Sequence, residues 1–189
     1  MTHIQRLAVA AGLLALTTPA FAHVGVPGHV YGFSAGFAHP LGGLDHIAAM
    51  MAVGLWAALK GGRALWAWPA TFVGVMLAGG ALGMADVVVP FVEPGILASL
   101  VTLGLMVALA ADLPVVAGAV IIAVFALLHG YAHGAEVSSG AEYMAGFAVA
   151  TAALHLAGIG LVLALARSAV RIAGAACALL GAALVTGVL

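Results

Sequence analysis

Apolar runs of similar length, separated by short breaks of Gly, Pro and charged residues, fill most of this chain. The first run differs from the rest. Leu7 to Leu16 follows a lone basic residue, Arg6, and closes on Thr-Thr-Pro-Ala-Phe-Ala, so that Ala20 and Ala22 supply the small residues of an A-x-A cleavage site. It is shorter than the roughly 20 residues a helix needs to cross hydrocarbon, and its three regions match a secretory signal. The pattern therefore predicts a cleaved signal peptide over residues 1–22, leaving His23 as an N-terminus outside the cytoplasm. Beyond a stretch rich in Gly and aromatic residues, His23 to Phe37, six apolar runs fall near 40–59, 67–85, 94–111, 114–135, 142–166 and 170–188. Each has about the length of a membrane crossing. Pro40, Pro69, Pro94 and Pro114 stand near the expected starts, where a missing backbone N–H costs little. The expectation is an all-α, polytopic membrane helix bundle, with six transmembrane helices in a single domain over residues 23–189.

Composition supports lipid as the main solvent. Hydrophobic residues make up 66% of the chain and charged residues only 6%, against about a quarter in a soluble domain. The net charge of −1 comes with no basic patch, which leaves nothing to bind nucleic acid. The single cysteine, Cys177, excludes an internal disulfide or a CxxC motif and reads as a small packing residue. Twenty-six glycines suit helices that pack closely.

Charge also predicts orientation. With the N-terminus outside, the first loop carries Lys60 and Arg63 and the fifth carries Arg167 and Arg171, and both are cytoplasmic. The outer loops carry Asp86, Glu93 and Glu142 and no basic residue. The positive-inside rule thus gives an N-out, C-out protein of a bacterial inner membrane. Trp56, Trp66 and Trp68 gather around the first loop, as interfacial aromatics do.

Against this apolar background, ionisable residues inside the runs need a reason. Two groups stand out. The first, His39-Pro-Leu-Gly-Gly-Leu-Asp45-His46, opens the first span. If the helix includes His39, a seven-residue step brings His46 back to nearly the same face. If His39 instead precedes the helix at Pro40, its side chain faces the outer vestibule. The second, His129-Gly-Tyr-Ala-His133-Gly-Ala-Glu136, closes the fourth span. Offsets of four and seven residues set His129, His133 and Glu136 on one helical stripe about 60° wide. Gly130 and Gly134 form a small-xxx-small pair beside it. The topology puts both groups toward the outer side, where they can converge.

Four imidazoles and two carboxylates suit a borderline divalent ion such as nickel, cobalt or zinc, and the acids can offset its charge as it sheds water. His23 and His29 in the N-terminal stretch, His155 in the fifth span and Glu142 at its start are accessory candidates for metal capture. His155 on its own is more usually explained as a helix–helix hydrogen-bonding residue.

At these residues the chain resembles the HupE/UreJ family of bacterial nickel permeases. The family's first mature span carries a His, five residues, then Asp-His, matched by His39, Asp45 and His46. Its fourth span carries an FHGxAHGxE-like motif, matched by LHGYAHGAE at 128–136 with Leu128 in place of the aromatic. The resemblance covers essentially the whole chain. It implies secondary uptake of Ni²⁺ from periplasm to cytoplasm for hydrogenase or urease maturation, rather than an enzyme activity. The absence of a Walker motif removes ATP as the direct energy source. The residues by themselves establish less, a metal site in a six-span protein, and leave oligomeric state open. They also leave a competing reading, an intramembrane metal-dependent hydrolase in which the His set holds zinc and Asp45 or Glu136 activates water.

Overall fold

The computed structural model describes residues 32–136 and 140–188, and every regular element among them is a helix. A short helix α1 (Phe33–Ala38) passes into a 3₁₀ turn at His39–Leu41, then α2 (Leu44–Lys60), α3 (Ala64–Met84), α4 (Val92–Ala108), α5 (Val115–Glu136), α6 (Ala141–Ala164) and α7 (Arg167–Val185). The signal peptide expected over 1–22, and His23 and His29, lie outside the described residues, as does the side chain of Glu136.

The six apolar runs correspond to α2 through α7, but not as six uniform spans. Helices α3, α5, α6 and α7 are long and apolar enough to cross a membrane. A fifth crossing results if α1 and α2, which meet at a bend of 85°, count as one broken span. Helix α4 has 17 residues, which at 1.5 Å per residue is about 25 Å, short of the roughly 30 Å hydrocarbon thickness.

The break before α2 has a local cause. Pro40 brings no N–H, and the Gly42 N–H donates to the His39 carbonyl at 3.0 Å, closing the 3₁₀ turn. Gly43 then takes an extended conformation, φ −119° and ψ 129°, as the residue preceding α2. The chain therefore turns a corner at Leu41–Leu44, where a continuous helix from residue 40 was expected. Pro69 differs too: α3 begins at Ala64, so this proline sits inside the helix rather than at its start.

Close backbone contact joins the helices in pairs. A Cβ on Gly130 would collide with the Met76 carbonyl, and one on Gly134 with the Gly80 carbonyl, so α5 lies directly against α3 as the small-xxx-small pair predicts. Gly54 of α2 meets the His155 backbone of α6 in the same way. The core between these helices is Met50, Trp56, Trp68, Phe72, Met76 and Phe147, all fully buried.

One end of the bundle gathers the basic residues. Lys60, ending α2, pairs with Asp112 in the α4–α5 connection, and Arg171 Nε donates to the Ala108 carbonyl at 2.7 Å. Beside them Trp56 and Trp68 pack with tilted rings, centroids 4.2 Å apart, and their indole N–H groups donate to the carbonyls of Ala111 and Val115, each at 2.8 Å. Two of the three expected interfacial tryptophans are thus buried pins that satisfy the α4–α5 corner, and Trp66 alone is exposed.

Candidate metal centre

At the end of the bundle away from the basic residues, three of the singled-out histidines meet. His39 arrives on the 3₁₀ turn, His46 on the first turns of α2 and His133 on the last turn of α5. One nitrogen from each lies within 4.8 Å of the other two, and they form a group able to hold a metal ion. The 85° corner makes this possible, because it carries His39 across to the other two rings instead of leaving it stacked above His46 on one helix. His46 and His133 are buried and His39 is only partly so.

The closest approach is His46 Nε2 to His133 Nε2, 2.7 Å. Two neutral imidazoles come this near only by sharing a proton, one nitrogen donating and the other accepting. Asp45 Oδ1 lies 3.1 Å from His46 Nδ1 and favours the tautomer with its proton on Nδ1, which turns the His46 Nε2 lone pair toward His133. Nitrogens bound to one ion at about 2.0–2.1 Å would stand roughly 3–3.5 Å apart. To hold a metal the pair needs a small opening and a shift of the His133 proton from Nε2 to Nδ1, which turns both Nε2 lone pairs to the ion. Asp45 also occupies the first turn of α2, where the helix dipole stabilises a carboxylate.

Helix α6 closes the site with aromatic rings. Phe147 lies 4.5 Å from His133 and 5.9 Å from His39 between centroids, and Tyr143 lies 5.9 Å from His39. Neither residue announces itself in the sequence as anything but apolar filling. The usable signal is their spacing: Tyr143, Phe147, Thr151 and His155 form an i, i+4 row along one face of α6.

His129 shares the His133 stripe but stands one turn further along α5. It is not part of the three-histidine group, although its ring centroid is 5.8 Å from that of His46. Its Nδ1–H donates to the Phe125 carbonyl at 2.9 Å, and its buried Nε2 has no hydrogen-bond partner among the described residues. That is the arrangement by which a backbone carbonyl fixes a histidine tautomer and presents the other nitrogen to a ligand.

His155 lies further still. Phe72 separates it from His129, with centroids 5.7 Å from His129 and 5.1 Å from His155. Its ring is buried, and neither nitrogen has a hydrogen-bond partner among the described residues. Among the described residues it makes none of the interhelical hydrogen bonds expected of a structural histidine. Leaving a buried polar atom unsatisfied costs about 1–3 kcal/mol. Glu142, in the first turn of α6, is exposed and lies beside Gly32 at the start of α1, apart from the three rings. Glu136 ends α5 one turn beyond His133.

Known proteins place the chain among relatives. Residues 11–184 match the family model described as HupE / UreJ protein. The chain is 44% identical, over 93% of its own length and 95% of the relative's, to Protein HupE of Rhizobium leguminosarum bv. viciae. No solved structure matches.

Proposed function

The chain belongs to the HupE/UreJ family, and from that premise we propose that it is a secondary nickel permease, moving Ni²⁺ from periplasm to cytoplasm across a bacterial inner membrane. The family is associated with nickel and cobalt uptake for hydrogenase or urease, and the delivered ion would serve the maturation of such an enzyme. The observation that carries the reading is the meeting of His39, His46 and His133 around one point at the end of the bundle opposite its basic residues.

The steps follow from the residues. With the basic end in the cytoplasm, the three histidines face the periplasm, and the partly exposed His39 meets the ion first. His46 and His133 take it once the proton between them has moved to His133 Nδ1, since a neutral imidazole must turn a lone pair to the ion to bind metal. Asp45 holds the His46 ring and offsets part of the double charge, and Glu136 adds a second carboxylate one turn beyond His133. His129, with its tautomer set by Phe125, is the next nitrogen along the bundle. Nickel is cargo throughout, and cobalt or zinc would fit the same imidazole donors.

A hydrolase would also use three histidines on one metal. The row of imidazoles continuing past the group, first His129 and then His155, favours passage over a closed catalytic site, and HupE/UreJ proteins are transport-related.

The test is ⁶³Ni accumulation by cells carrying His46→Ala or His133→Ala at matched expression. Each variant is expected to lose uptake by about tenfold or more, since even residues that only orient a metal ligand cost that much. Wild-type accumulation by both variants would sink the assignment.

A further inference from the structure

His155 is the one buried histidine whose two ring nitrogens both lack a hydrogen-bond partner among the described residues. The fold holds it in place firmly. Its backbone is pressed against Gly54, where even a Cβ would not fit, and its ring stands edge-on to Phe72 at 81°. A residue that served only to fill this space would be Leu or Phe, which carry no polar atoms to strand. A residue that served only to tie helices would show its hydrogen bond.

Its position gives it a direction. On α6, Phe147 packs against His39 and His133, and His155 lies eight residues further along, about 12 Å down the same helix face. Between those levels, Thr151 donates from its hydroxyl to the Met76 thioether at 3.7 Å. On the opposite wall, His129 and then Phe72 bridge the gap. The rings thus run in sequence from the three-histidine group through His129 and Phe72 to His155, toward the end that carries Lys60 and Arg171.

We infer that His155 is a second metal-binding station, which receives the divalent ion after it leaves the His39–His46–His133 group and passes Phe72. This rests on the permease reading and adds to it a residue deep in the bundle that coordinates the moving ion directly. Either ring nitrogen can supply the lone pair, because no hydrogen bond commits the other to a tautomer.

The experiment uses the full-length protein reconstituted in liposomes, with ⁶³Ni²⁺ as the probe, and compares wild type with His155→Ala and His155→Cys. Uptake by His155→Ala should fall by about tenfold or more, while equilibrium Ni²⁺ binding at the three-histidine group stays within about twofold. That second measurement doubles as proof of folding. In detergent, His155→Cys should show a thiolate-to-nickel charge-transfer absorption that the wild type, which already contains Cys177, does not. Wild-type liposomes that take up no nickel would overturn the permease reading and this inference with it. If the wild type does transport, the inference alone fails under any of three results: His155→Ala keeps wild-type uptake, it loses binding at the three-histidine group as well, or His155→Cys gives no such absorption.

Discussion

At the scale of single residues, the chemistry of the site depends on how each imidazole is held rather than on how many there are. His46 has a carboxylate against its far nitrogen, Asp45 Oδ1 at 3.1 Å from Nδ1. Asp45→Asn keeps the size of the side chain and removes its charge. We expect it to weaken Ni²⁺ binding by about 10–100-fold, the usual effect of losing a group that orients a metal-bound histidine, with thermal stability little changed. Equilibrium dialysis against ⁶³Ni²⁺ checks the first outcome and a thermal melt the second; unchanged affinity would remove Asp45 from the site. The meeting of three of these residues was legible in part, because His39 and His46 in one motif and His133 in the other sit in spacings that can converge on a shared ligand. His129 was legible as a stripe partner of His133, but the stripe could not reveal that the partner across the gap, His46, aligns with His133 and leaves His129 a turn away. Phe72, Tyr143 and Phe147 were not legible, since an aromatic residue in an apolar run carries no mark of which ring it will face.

At the scale of helices, hydropathy found the runs that became α2 through α7 and missed how they begin. The motif His-Pro-Leu-Gly-Gly contains every breaker needed for a corner, yet its 85° bend is set by where α1 docks: Gly36 meets the Tyr143 backbone and Gly146 meets that of Phe33. That docking is a tertiary fact, and no local pattern encodes it. For a related reason nothing in the sequence signals that two of the tryptophans near residue 60 are buried inside the bundle against the carbonyls of Ala111 and Val115. The glycine pair on α5 was the most transparent element signal, and it makes a sharp prediction. Gly130→Ala forces a methyl into the Met76 carbonyl, and overpacking of this kind costs about 1–3 kcal/mol. Gly74→Ala, on the same α3–α5 pair but with nothing within 4 Å of its added methyl, should be neutral or slightly stabilising, as alanine is the better helix former by up to about 1 kcal/mol. Thermal stability in detergent should fall for the first and not for the second. Equal behaviour of the two would mean that close α3–α5 contact does not hold the bundle together.

At the scale of the molecule, function depends on which end faces which compartment, and charge is the one signal that addresses it. Lys60, Arg63, Arg167 and Arg171 are all the basic residues beyond position 6, and they collect at the ends of α2 and α6 and the starts of α3 and α7. Lys60 is partly neutralised by Asp112 and Arg171 is engaged with the Ala108 carbonyl, but the positive-inside bias acts on Lys and Arg themselves and gives little weight to acids. On that bias we expect this end in the cytoplasm and the three histidines at the periplasmic face. Cysteine labelling tests the arrangement in a Cys177→Ala background. Val88, 88% exposed in the α3–α4 connection, lies at the histidine end, and the exposed Ser168 lies at the basic end. In intact spheroplasts a membrane-impermeant maleimide should label Val88→Cys at once and label Ser168→Cys only after the membrane is permeabilised. The reverse pattern would turn the three-histidine group toward the cytoplasm. The same rings would then be the last donors the ion meets on import, or the first on export, and the direction of transport would have to be argued again from His155 outward.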